Sequence, residues 1–266
     1  MPSSPGEGRL EGMSYIDLQA TLRDWPYEPD KISVRKILGA DDAVRIQMRV
    51  ELGIIQMEAE GRPDGARPHG SASLLEYYQR RLSKHQERNG TPLGFVLSRN
   101  DCEALRNEAS LYYRRYIALF VLEEFANVVR DTAHSLAIFD TCRDYAFELD
   151  DRNALEEFRP YVLMMRARAS AYQALEEEEI ASAIAHVNRG ILEIKAHFDR
   201  MDRPEVASGC EEIKMLRALA AELNGKVPKG SVLLTRKALR DAVEQERFED
   251  AARLRDELRK MKQTDE

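Results

Sequence analysis

The chain is short of positive charge, cysteine, aromatic residues and long apolar runs. Its 40 Lys and Arg stand against 47 Asp and Glu, a formal net charge of −7. That is the wrong sign for the phosphate neutralisation that supplies most non-specific nucleic-acid affinity, so only a local basic patch could serve it. The three cysteines, Cys102, Cys142 and Cys210, are odd in number and far apart in the sequence. Without a CxxC or Cys/His spacing they read as reduced thiols rather than metal ligands. No apolar stretch nears the ~20 residues that span a bilayer. The first thirteen residues, MPSSPGEGRLEGM, have neither the basic start nor the apolar centre of a secretory leader. The expectation is a soluble, cytoplasmic protein with no membrane contact.

Chemistry is equally sparse. There is no GxxxxGK[ST] phosphate loop and no HExxH pair, and the five histidines are scattered. The acidic run at 176–179 would point its carboxylates in different directions and reads as a solvated turn. No catalytic residue, metal or cofactor is expected, and the chain reads as a non-enzyme.

What is present favours helix. Aromatics make up 7% and Gly and Pro number 14 and 10, while Ala, Leu, Glu and Arg abound. With 43% hydrophobic residues over 266 positions there is material for one sizeable core with appendages. The fold class expected is mainly α, a bundle of helical hairpins with a small β-hairpin near the N-terminus.

Residues 1–12, rich in Ser, Pro and Gly, read as a disordered tail. A small region follows over 13–70. Residues 14–22 suit a short strand or helix, 25–30 are held extended by Pro26 and Pro29, and 31–38 are expected to begin with a helical turn capped near Asp30 or Ser33. From Arg45, Ile46, Met48, Val50 and Leu52 alternate with polar residues, and after Gly53 the alternation resumes at Ile55 and Met57. Period two argues for two strand pieces joined by a tight bend or bulge at Gly53, although Ile46, Val50, Ile54 and Met57 would also share a helical face. The run Gly61-Arg62-Pro63-Asp64-Gly65 is a strong turn signal. With Arg67 and His69 close by, it offers Arg62, Asp64 and Arg67 as a candidate binding loop, or simply a tight turn.

A helical body is expected over 71–225. Ser71 or Ser73 caps a first helix ending near Asn89-Gly90, and Ser98 to Asp101 supply caps for a second. Tyr112, Tyr113 and Tyr116 could stack on bases if exposed, but core packing is the safer assignment. Two stretches then resemble each other at an offset of 55 residues: Tyr116, Phe120, Glu124, Phe125 and Val128 are answered by Ala171, Leu175, Glu179, Ile180 and Ala183. Each reads as a helix, an acidic turn and a second helix. This resembles the tetratricopeptide helix pair, although the offset exceeds the 34-residue period of that family, and an ordinary bundle of antiparallel hairpins explains it as well. A last helix from Arg203-Pro204-Glu205 stops at Asn224-Gly225, and 226–230 read as a hinge.

Residues 231–266 form the most specific feature. Leu234, Ala238, Leu239, Ala242 and Val243 line one face of a first helix, residues 244–247 suit a turn, and Phe248, Ala251, Ala252, Leu254, Leu258 and Met261 populate a second helix. Phe248 is expected to plug the hairpin's open end. The string FEDAARLRDELRKM, residues 248–261, resembles the UVR motif shared by the excision-repair proteins UvrB and UvrC. Phe248, Glu249, the paired Ala251 and Ala252, and Leu254-Arg255-Asp256 fall at its signature positions, and Leu239, Ala242 and Gln245 suit its first helix and turn. The resemblance implies a docking module that pairs with a second hairpin, in a homodimer or with a UVR-bearing partner, as a four-helix bundle. The partner face it implies comprises Leu239, Ala242, Phe248, Ala251, Ala252, Leu254, Arg255, Asp256 and Leu258.

The physics agrees, because a lone hairpin of this size buries too little apolar surface for stability. Nine basic and nine acidic residues over 231–266 favour protein pairing over phosphate binding. The expected function is that of an adaptor or scaffold. The alternative is an accessory factor of nucleotide excision repair recruited to UvrB or UvrC, with DNA contact left open.

Overall fold

The computed structural model describes residues 17–227, 235, 238, 239, 242, 243 and 245–264. The proposed tail at 1–12 lies outside them, as do 228–230 of the proposed hinge.

Strands β1 (Val34–Leu38), β2 (Val44–Val50) and β3 (Gly53–Glu58) form an antiparallel sheet in the order β1-β2-β3. The alternation has the meaning period two gives it. Ile46 pairs across the strands with Met57, and Met48 with Ile55 and Val34, and these side chains join the protein's core. The other face is polar: Arg35 Nε donates to Gln47 Oε1 and Gln47 Nε2 to Gln56 Oε1, both at 2.9 Å. Val50 pairs with Gly53, so Glu51 and Leu52 form a two-residue loop and Gly53 marks a tight bend rather than a bulge. The helical alternative for 43–58 is excluded. So is the helical turn expected at the start of 31–38: residues 31–33 are non-helical and 34–38 are β1. Its residues gain a full ladder against β2, and Ser33 accepts a hydrogen bond from Trp25 Nε1 at 2.5 Å instead of capping a helix. Cross-strand pairing, absent from any local reading, overrides the local cap signal.

The remainder is helical. After the short α1 (Gln19–Leu22) and the sheet come α2 (Leu74–Asn89), α3 (Arg99–Val121), α4 (Phe125–Tyr145), α5 (Leu149–Asn153), α6 (Arg159–Glu176), α7 (Ile180–Arg200), α8 (Val206–Gly209), α9 (Glu211–Lys226) and α10 (Phe248–Thr264). The caps are those their residues dictate. The Ser73 side chain accepts from the Glu76 amide at 3.0 Å, and Gly90, at φ 71°, ends α2 in the left-handed conformation. Ser98 and Asp101 exchange bonds in a capping box at the start of α3; such caps are worth ~1 kcal/mol each. The last body helix is not continuous as expected. It breaks at Cys210, whose ψ of 124° is extended, and it runs through Asn224-Gly225 to Lys226.

Helix α4 packs between α3 and α6, and α7 between α6 and α9, giving a stack of antiparallel hairpins. Leu97 bridges to Ala146, tying the start of α3 to the end of α4: its amide donates to Tyr145 O at 2.8 Å, and its carbonyl accepts from Phe147 N at 3.0 Å. Helices α6 and α7 approach closely at Gly190, where an added Cβ would lie 2.4 Å from Ala167 Cβ. Any side chain there would force the two helices apart.

The 55-residue offset is a repeat of backbone geometry. After α3, the Glu123 amide donates to Phe120 O and Glu124 to Leu119 O. After α6, Glu178 donates to Leu175 O and Glu179 to Ala174 O. This is the Schellman pattern, with the left-handed position held by Glu123 and Glu178, each at φ 60°. Phe125 and Ile180 follow in register and pack against the core.

Candidate functional site: a C-terminal hairpin with an open apolar side

The same turn occurs a third time in the tail. The Glu246 amide donates to Val243 O at 3.0 Å and Arg247 to Ala242 O at 2.8 Å, with Glu246 at φ 56°. Residues 235, 238, 239, 242 and 243 are helical before it, and α10 follows. The hairpin is therefore closed by backbone bonds across 245–247, within the stretch that the sequence assigns to a turn.

Phe248 is not the plug expected of it. It is 67% exposed, because the backbone bonds already close the turn and leave its ring outside. Val243 is 51% exposed, and Leu239, Leu254 and Leu258 are half-buried. Ala242 and Ala251 are buried, yet neither belongs to the body's core cluster. Ala252, Arg255 and Asp256 face solvent. The charges around them satisfy one another locally: Asp250 pairs with Arg247 and Arg253 at 2.9 Å, and Arg255 with Asp256 at 2.8 Å. Exposed pairs of this kind add little stability, but they leave the apolar side flanked by balanced charge.

The candidate loop at 61–67 is mostly exposed, and only Arg62 and Pro63 turn inward. Arg62 lies 3.1 Å from Asp64 and 3.5 Å from Glu108, whereas Asp64 and Arg67 are exposed. Glu108, fully buried on α3, accepts the Leu74 and Leu75 amides at 2.7 and 3.1 Å and so caps the start of α2 from across the fold. His134 Nε2 lies 3.1 Å from the same carboxylate, its ring stacked on Tyr112 at 3.8 Å. Burial pushes the Glu108 carboxyl up, but His134 and the two amides outweigh burial and hold it below its usual range. Two turns further along α3, Arg115 makes a two-pronged pair with Asp131 of α4, at 2.6 and 2.9 Å, and donates to Glu58 O of β3 at 3.0 Å. Arg115 and Asp131 are 1% and 0% exposed. These charges fasten the sheet and α2 to the helical stack.

A cavity of about 630 Å³ opens between α3, α6 and the 154–158 segment. Its aromatic wall includes Tyr113, Tyr116 and Tyr161. Tyr112 and Tyr116 are buried as expected, but Tyr113 is 47% exposed, so the core assignment fails for it. Helical spacing separates these residues: Tyr112 and Tyr116 share a face, and Tyr113 stands a third of a turn away. The cavity had no signal in the sequence beyond that tyrosine cluster, since Tyr161 lies 45 positions beyond Tyr116. Among the described residues no three His, Cys, Asp or Glu side chains converge as metal ligands would, and no helix is long and apolar enough to cross a membrane.

The family model of the UvrB/uvrC motif matches residues 234–264, which places the motif on the hairpin just described. No curated protein and no solved structure matches the chain. The molecule is thus a mainly helical protein with a small N-terminal antiparallel sheet, carrying a UVR motif at its C-terminal end.

Proposed function

We propose that the chain is a non-catalytic, cytoplasmic adaptor or scaffold that pairs through its UVR hairpin with a second copy of itself or with another UVR-bearing protein. The observation that carries this reading is the exposure of Phe248 at the first signature position of the matched motif, beside half-buried Leu254 and Leu258. A second hairpin would cover these side chains, and the balanced flanking charge suits a protein partner. The stacked hairpins of 99–226, tetratricopeptide-like in their repeated turn, would present a separate surface.

Deleting residues 231–266 should lower the oligomeric mass, or remove a captured UVR partner, while the body's melting transition is kept. Phe248→Asp and Ala252→Glu should do the same by placing charge in the seam. Unchanged mass and unchanged partners in all three would sink the proposal.

The second reading, an accessory factor of nucleotide excision repair, rests on the association of the motif with UvrB and UvrC. Direct DNA contact has weaker support. Of the arginines that could serve it, Arg114 is exposed, but Arg115 is buried on Asp131, Arg166 pairs with Glu193 at 2.8 Å, and Arg168 lies over the Phe120 ring at 4.7 Å. Steeply salt-dependent binding to damaged DNA would support this reading. No binding at low salt, with neither UvrB nor UvrC in a pull-down, would remove it.

A further inference from the structure

We propose that the cavity between α3 and α6 is a docking site for a basic segment of a partner protein, which inserts an arginine or lysine side chain against the tyrosine wall. Tyr113 meets Tyr116 edge-on at 5.5 Å and Tyr161 at 6.2 Å, so the three rings form one continuous surface. No hydrogen bond ties down any of their hydroxyls among the described residues, and Tyr116, only 1% exposed, still lines the space. Phe158, 52% exposed, stands at the rim.

The charge at this cavity is what selects a cation. Glu157 and Glu212 both line it, and neither has an ion-pair partner among the described residues; Glu212 only accepts from the Cys210 thiol at 2.9 Å. Among the described residues the one cation lining it, Arg106, is committed to Asp151 at 2.6 Å. The cavity therefore carries two uncompensated carboxylates beside an aromatic face, the combination that favours a guanidinium or ammonium group over a neutral or acidic one.

Elsewhere the chain supplies such cations to its own rings. Arg35 lies over Trp25 at 4.1 Å, Arg168 over Phe120 at 4.7 Å and Arg115 over Tyr112 at 5.0 Å; at the cavity itself Phe139 is covered in the same way, by Arg159 at 5.6 Å. Among the described residues no guanidinium covers Tyr113, Tyr116 or Tyr161. An incoming side chain would find there the stacking face that internal arginines occupy at the other sites, flanked by carboxylates able to pair with it.

The site lies on the body, and its occupancy does not depend on the UVR pairing. The test is calorimetric titration of the full chain with the peptide acetyl-Gly-Leu-Arg-Leu-Gly-amide and with the same peptide carrying citrulline, which keeps the shape and loses the charge. The arginine peptide should bind at least ~10-fold more tightly than the citrulline peptide. Tyr113→Ala and the Glu157→Gln/Glu212→Gln pair should each weaken it by a similar factor with unchanged circular dichroism, whereas Phe248→Asp should leave it intact. Equal binding of the two peptides, no heat with either at millimolar concentration, or full binding by Tyr113→Ala overturns the proposal. Self-association that Tyr113→Ala abolishes and Phe248→Asp spares would identify a second copy as the occupant and overturn it too.

Discussion

The hairpins of the body and the hairpin of the tail make the same turn and bury it differently. Glu123, Glu178 and Glu246 hold the left-handed position in each, and Phe125, Ile180 and Phe248 follow two residues later. In the body, Phe125 and Ile180 pack against the core, Phe125 within 5.7 Å of Phe120 and 5.2 Å of Tyr172. In the tail, the equivalent ring is 67% exposed. Local sequence and backbone bonding thus set the hairpin, and neighbouring helices decide whether its apolar side is covered. The body has its neighbours within the chain. The tail has a single hairpin with one apolar side, a unit too small to stand comfortably alone.

The largest effect should come from breaking the body while leaving the tail untouched. Asp131→Ala strands Arg115, 1% exposed, without its counter-charge, and removing one partner of a buried ion pair costs about 3–5 kcal/mol. Urea unfolding followed by Trp25 fluorescence should show that loss, since Trp25 lies against the sheet residue Arg35. Pairing through the tail should survive below the new transition. A loss under ~1 kcal/mol would mean that the pair is not what fastens β3 to the helices.

Acid should separate the two regions next. Burial pushes the Glu156 carboxyl up, but His197 and Arg159 prevail and hold it down to about 2, and Glu108 is also held low. The two Arg159 bonds to Glu156 are both 2.7 Å, and His197 Nδ1 stands 3.4 Å from the same carboxylate. A carboxyl whose pKa is depressed on folding stabilises the fold above its unfolded value, near 4.3, and that stability is lost as pH falls through the folded value. The body should therefore weaken between about pH 4.5 and 2, by roughly 2–3 kcal/mol for Glu156. Melting at pH 7 and pH 3 checks this, and Glu156→Gln should flatten the dependence. An unflattened curve would assign the acid lability elsewhere.

A matched pair of truncations probes the comparison itself. Phe125→Ala should cost the body ~2 kcal/mol, less than a fully buried ring because Phe125 is only partly covered. Phe248→Ala should change body unfolding by less than ~0.5 kcal/mol, as exposed substitutions do, yet weaken pairing by ~10-fold or more if the ring is an anchor of the seam. Unfolding curves and sedimentation of both variants are decisive: equal losses of stability would mean that the tail hairpin is packed like the body's.

The contrast also explains what could be read from the amino acids. The tail motif was legible because its signature residues are consecutive, and the β2–β3 hairpin because one face of it is buried while the other is polar. The repeated turn was legible because Phe125 and Ile180 recur in register. Strand β1 was not, since only its ladder to β2 makes it a strand. The network of Glu108, Arg115 and Asp131 was hidden as well, because charged residues on long helices look like solvated faces until the tertiary fold closes over them. Cys102 and Cys142 are forty positions apart in sequence, yet their buried thiols shift each other, Cys102 down and Cys142 up. Only the pairing of α3 with α4 brings them together.

The smallest effect bears on the feature the hairpins share. A side chain in the left-handed conformation is strained by its Cβ, and glycine relieves it; against that, glycine gains entropy in the unfolded chain. The balance should favour Glu123→Gly and Glu178→Gly by about 0.5–1 kcal/mol each, read as a rise in the body's melting temperature, with the two adding because the turns are separate. Glu246→Gly has the same local gain in a hairpin outside the body's core, so it should leave the body's transition where it is and strengthen pairing slightly by favouring the closed hairpin. A rise in the body's melting temperature from Glu246→Gly equal to that from Glu123→Gly would show the tail folding as part of the body, and with it the distinction between a covered and an uncovered hairpin would fall.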